Sequence, residues 1–142
     1  METPADDWIG KGEYRRQHAT GQGDEENMDI ERIDPRVWNC RACVYGDLVF
    51  LSGAVAEDKA LPMKEQTEQV LGKIDKDLAA AGTDKSHILS ATVYLADIDR
   101  KEEMNEAWMA WMDPDNMPCR TAVGAALTPG TLVEITVCAA RP

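Results

Sequence analysis

Two hydrophobic rhythms run along the chain, one of period two and one near 3.6, and the changes between them mark out its elements. Cys40, Ala42 and Val44 alternate with Arg41, Cys43 and Tyr45, then Gly46-Asp47 supplies the chemistry of a tight turn before Leu48-Val49-Phe50-Leu51 and the closing Ser52-Gly53. This predicts two strands joined as a hairpin. Leu48 to Leu51 is apolar on both faces, so that strand is expected to be covered twice. Over residues 63–81, Thr67, Val70, Leu71, Ile74 and Leu78 share one helical face, and Gly82 is placed to end the helix. Residues 88–96, rich in β-branched and aromatic side chains, fit a central strand. Asp99 with Glu102 three residues on resembles a capping box opening a second helix over 100–111, with Met104, Trp108 and Trp111 as core. Apolar runs at 118–123 and 132–137 flank Thr128-Pro129-Gly130 and read as two more strands. A hairpin centred on Pro129-Gly130 would set Arg120 opposite a residue near Ala139.

The order is strand, strand, a possible short third strand, helix, strand, helix, strand, strand. That is an α+β pattern, one sheet backed on one face by two helices. The second face of such a sheet also needs cover, which must come from another subunit, so an oligomer is expected. Residues 1–27 show no sustained period and are expected to be an extension, disordered or loosely docked, with Trp8 the hint of docking. Residues 28–142 are the expected folded domain.

Composition narrows the partners. A chain of 142 residues fits one domain with a real core. Its formal net charge of −11 repels phosphate and argues against nucleic acid. No apolar run approaches the roughly 20 residues of a membrane span, and no signal-peptide core is present, which makes a cytoplasmic protein the default. The four cysteines are then expected as free thiols. Cys40 and Cys43 have CxxC spacing, but three apart on a strand they should point to opposite faces, which argues against a metal site.

Arg120 and Glu134 are single charges within apolar strands. Such charges persist when paired, hydrogen-bonded or used by a ligand. They read either as a structural ion pair across strands or subunits or as parts of a site. Cys119, beside Arg120, reads as a small buried filler or as a thiol lining a cleft.

In this order and spacing, three segments resemble the reactive intermediate deaminase (Rid) family, whose members are similar to RidA. They are residues 46–53, Thr92-Val93-Tyr94-Leu95-Ala96-Asp97 with Met104-Asn105, and Pro118-Cys119-Arg120-Thr121 with Val133-Glu134-Ile135. The Ala107-Trp108-Met109-Ala110-Trp111 segment looks closest to a less studied bacterial subgroup. The resemblance implies a chorismate-mutase-like fold assembled as a homotrimer with clefts between subunits. It also implies hydrolysis of enamines and imines, such as 2-aminoacrylate and 2-iminopropionate, to a 2-oxo acid and ammonia without metal or organic cofactor. Arg120 matches the family arginine that holds the substrate carboxylate, Glu134 the glutamate beside the attacking water, and Asn105 the helix asparagine near the cleft. Asn39, with Trp38 alongside, falls where RidA-type members carry a substrate-contacting tyrosine. The interval from Arg120 to Glu134 is one residue shorter than the family's, and such a change can move a strand side chain to the other face unless a loop absorbs it.

The residue types suit this chemistry. A guanidinium is a planar fork for a carboxylate, and an imine carbon needs only a positioned water and a proton donor or acceptor. The alternative reading is a non-catalytic trimer that binds a small carboxylate and regulates or scaffolds another process. An RNA-cleaving activity sits poorly with the negative charge.

Overall fold

A computed structural model describes residues 29–142. The predicted extension, Trp8 included, lies outside the described residues. The elements are β1 (Glu31–Pro35), β2 (Cys40–Tyr45), β3 (Leu48–Leu51), β4 (Ala54–Val55), α1 (Met63–Ala80), β5 (Ile88–Leu95), α2 (Lys101–Trp111), β6 (Cys119–Gly124) and β7 (Val133–Ala140). The strands form one mixed sheet in the order β1-β2-β3-β7-β5-β6, with β4 also paired to β7. Both helices lie on one face, as the pattern predicts.

The hairpin of β2 and β3 forms around Gly46, whose φ of 58° is easiest for a residue without Cβ. The predicted face of α1 is buried: Thr67, Val70, Leu71, Ile74 and Leu78 pack onto the sheet, with Met63 and Gln66 extending the same stripe. Gly82 at φ 80° follows the helix and lets its last carbonyls be capped by the Gly82 and Thr83 amides. In α2, Met104, Ala107 and Trp108 are buried, and Trp111 is half-buried against them.

Two expectations are corrected. No Asp99 capping box forms. The Asp97 carboxylate instead caps a short 3-10 turn, and the helix start is stapled by Arg100 to Glu103 at 2.6 Å. Nor do β6 and β7 make a hairpin. The stretch from β5 through α2 to β6 is a crossover, so β6 runs parallel to β5 on its outer edge, and β7 takes the inner edge antiparallel. The side chains explain the choice. Val133, Ile135, Val137 and Ala139 are all buried and make β7 a central strand, whereas β6 offers the helix face only Arg120, Ala122 and Gly124. Consequently Arg120 aligns with Ala91 on β5, and Ala139 with Val49 and Ile88 far along the sheet.

The face away from the helices has a continuous row across the strands: Cys43, Phe50, Cys138, Ser90 and Cys119 are successive register partners. On it Leu48 is 41% and Phe50 47% exposed. Within one chain, then, β3 is covered once.

Candidate functional site

Arg120 is built from β6 and α2 together. Pro118 ends the connecting loop and β6 begins at Cys119, so strand alternation turns Arg120 to the helix face, level with the buried Ala91 and Val137. There α2 presents residues at positions i, i+1 and i+4. Nη2 of Arg120 donates to Oδ1 of Asn105 at 2.8 Å, Nη1 lies 3.8 Å from the Met104 sulfur, and the guanidinium carbon stands 5.2 Å from the centre of the Trp108 ring. This is a cradle of a neutral amide, a thioether and an aromatic face. Among the described residues Arg120 has no ion pair. The nearby acid Glu102 is reached through Asn105, whose Nδ2 donates to Oε1 of Glu102 at 3.3 Å. Burial pushes the Arg120 guanidinium below its usual range, and Glu102 offsets part of that. The group stays charged, since arginine titrates far above neutrality.

Glu134 stands elsewhere. As the second residue of β7 it faces away from the helices, level with Tyr94 on β5 and Val55 on β4. Its carboxylate packs directly on Gly53, so closely that a Cβ at position 53 would overlap Oε1. Among the described residues it too has no ion pair. The reading of Arg120 and Glu134 as a structural pair within the chain is therefore wrong: they lie on opposite faces of the sheet.

The other predicted site residues divide the same way. Asn105 joins Arg120. Cys119 is exposed within one subunit, on the face away from the helices. Asn39 is exposed in the turn between β1 and β2, its carbonyl accepting the Arg36 N–H at 2.6 Å, with the neighbouring Trp38 93% exposed. That turn lies towards the opposite edge of the sheet from β6. One subunit thus gathers Arg120 with Asn105 and leaves Glu134, Cys119 and Asn39 apart from them. In the sequence Met104 and Trp108 read only as core, and nothing there marks Gly53 as the seat of Glu134. The helical spacing of 104, 105 and 108 just before a strand arginine was the available signal.

The CxxC expectation is also corrected. The sulfurs of Cys40 and Cys43 are 3.2 Å apart. Strand alternation breaks between Arg41 and Ala42. Arg41 reaches the helix side, where Nη2 pairs with Asp77 of α1 at 2.8 Å, and so does the buried Ala42, leaving both cysteines together. Among the described residues no group of three His, Cys, Asp or Glu side chains is placed to hold a metal.

A cavity of about 780 Å³ lies between β4 and α1, lined by Arg41, Lys73, Lys76, Glu57 and Asp77. It is away from Arg120; Arg41 pairs there with Asp77 and Lys73 with Glu57, while Arg36 and Lys76 add two further cations to its lining. It reads as a polar seam between sheet and helix.

Residues 30–141 match the family model described as Endoribonuclease L-PSP. A RutC family protein of Haemophilus ducreyi is 44% identical over 112 residues, spanning 78% of this chain and 96% of that protein. The RutC family protein YoaB of Escherichia coli K12 is 37% identical, over 80% of this chain and 99% of that one. Among solved structures, a YjgF-family member from Neisseria meningitidis superposes with a TM-score of 0.78 at 39% identity, covering 81% of this chain and 97% of that one. Among the described residues no helix is long and apolar enough to cross a membrane. With its family model matched almost throughout the folded region, and the mixed sheet and helix pair shared with its relatives, this chain belongs to the Rid/YjgF family.

Proposed function

We propose that this protein hydrolyses reactive 2-imino acids, of the 2-aminoacrylate and 2-iminopropionate type, to the 2-oxo acid and ammonia, as a homotrimer with its sites between subunits. The observation that carries this reading is the partly buried Arg120, held by a neutral amide over an aromatic ring and free of any ion pair among the described residues. A charge in that setting favours an anion that brings its own carboxylate. Arg120 anchors the substrate carboxylate as a bidentate fork, and Asn105 fixes the plane of that fork. The enamine takes a proton at its terminal carbon to become the imine. Water adds to the C=N carbon, and the resulting carbinolamine expels ammonia to leave the ketone. Glu134 orients that water and accepts its proton.

Because Arg120 and Glu134 occupy opposite faces of one sheet, a cleft that holds both takes Arg120 from one subunit and Glu134, on its Gly53 seat, from the next. Cys119 and Asn39 join the site on the same terms, from the open face and the exposed β1–β2 turn. No cofactor is needed, since the imine carbon is already electrophilic.

A second reading has an observation of its own. The Arg120 cradle is complete without Glu134, so it would hold a small carboxylate even in a protein that performs no hydrolysis. A family model named for endoribonuclease raises RNA as a substrate, but the net charge of −11 opposes it.

The test generates 2-aminoacrylate with a pyridoxal-phosphate-dependent dehydratase acting on serine and follows pyruvate. Wild-type protein is expected to accelerate its appearance, and Arg120→Ala to lose about 10²- to 10³-fold, the scale of removing one partner of a buried charge pair. Carboxylate binding without acceleration over several amino-acid-derived imines would establish the second reading.

A further inference from the structure

The Cys40 and Cys43 thiols are placed for chemistry that the proposed deaminase does not use. In a regular strand, residues three apart are separated by about 10 Å along the chain, beyond what one disulfide spans. The break in alternation at Arg41–Ala42 removes that obstacle. It is held open on both sides. Arg41 is fixed to the helix side by Asp77 and by the carbonyls of Ser52 and Gly53, both at 3.3 Å. Asp34, the residue of β1 that faces Arg41 in the register, adopts a φ of 51° and is missing from the paired positions. Contacts on both sides of the strand therefore hold this arrangement, and the sulfurs rest 3.2 Å apart.

We propose that Cys40 and Cys43 form a redox-active dithiol that closes to an intrachain disulfide on reaction with a low-molecular-weight disulfide. In the first step one thiolate attacks the oxidant, forming a protein mixed disulfide and releasing one small thiolate. In the second the neighbouring thiolate attacks the protein sulfur of that mixed disulfide, forming the Cys40–Cys43 bond and releasing the second small thiolate. Two protein thiols are oxidised, one small disulfide is reduced to two thiols, and two protons pass from the protein thiols to them. The second step needs the sulfurs to close from 3.2 Å to about 2.05 Å. The hydrogen bond with Cys40 and, after it, burial push the Cys43 thiol up. Both thiols are half-buried. The remaining cysteines are internal controls: Cys119 is exposed, and burial pushes the Cys138 thiol up.

The full-length chain, reduced and freed of reductant, is incubated at neutral pH with glutathione disulfide, alkylated in denaturant and digested with trypsin. Because Arg41 separates the two cysteines, a bridge appears as two tryptic peptides joined by one disulfide. The expected result is that most of the Cys40 and Cys43 peptides are so joined, and that dithiothreitol separates them. Cys43→Ser is expected to stop at a glutathione adduct on Cys40, whereas Cys119→Ser and Cys138→Ser keep the bridge. The proposal is overturned if Cys40 and Cys43 remain alkylatable, if either bridges to Cys119 or Cys138, or if the bridges run between chains. Imine hydrolysis is not read in this experiment, so its outcome is independent of the deaminase reading.

Discussion

At the scale of single residues, the protein's chemistry turns on which face of a strand each charge occupies. Arg120 is turned toward α2, and its orientation rests on one amide. Asn105→Ala removes the 2.8 Å hydrogen bond to the guanidinium, and a bond to a charged group contributes about 1.5–3 kcal/mol. Steady-state kinetics on 2-iminopropionate are expected to show KM raised on the order of 10-fold with kcat changed less, because the anchor remains charged but loses its plane. Equal losses in kcat and kcat/KM, with KM unchanged, would place Asn105 in the chemical step instead. Glu134 depends in turn on a missing side chain. Gly53→Ala would push the carboxylate off its seat, so activity is expected to fall about 10-fold or more by misplacement alone. Made in a Glu134→Ala background, the same change should cost almost nothing further, and additive losses would disconnect Gly53 from Glu134. The opposed faces of Arg120 and Glu134 could be anticipated from alternation once both strands were recognised. The meeting of Cys40 with Cys43 could not, because it depends on Arg41 bonding to Asp77, 36 residues away.

At the scale of elements, the helices and hairpin were legible because each has a local cause: the apolar stripe of α1, the glycine at its end, the Gly46 turn. Strand order was less so. The prolyl turn at Pro129-Gly130 suggested pairing of β6 with β7, but burial decides between central and edge positions, and the four buried side chains of β7 outweigh proximity along the chain. The long β6–β7 connection that results is tied down by Gln66, a residue that reads as merely polar in the sequence. It is wholly buried in the first turns of α1. Its Nε2 donates to the carbonyls of Gly130 at 2.9 Å and Leu61 at 3.0 Å, and its Oε1 accepts the Leu132 N–H at 3.0 Å. Gln66→Leu would strand these backbone groups away from water, and denaturant unfolding is expected to show a loss of about 2–5 kcal/mol. A change under about 1 kcal/mol would mean that the loop has other anchors.

At the scale of the whole molecule, the sheet has one face finished and one unfinished. Helices cover the first. The second exposes Leu48, Phe50 and Val123 among threonines and half-buried cysteines, an apolar surface suited to a second copy of the chain. In the proposed trimer this arrangement would unite the two halves of the proposed chemistry, since Arg120 and Glu134, on opposite faces within a subunit, would meet only where two subunits adjoin. The measurement that tests this most directly mixes two inactive proteins. Arg120→Ala and Glu134→Gln are expected to be nearly inactive alone in 2-iminopropionate hydrolysis. Refolded together in equal amounts, they should recover about a quarter of wild-type activity, because in random trimers about one cleft in four receives an intact arginine from one subunit and an intact glutamate from its neighbour. No recovery from mixed oligomers, or a wild-type protein that does not accelerate hydrolysis at all, would contradict a site shared between subunits.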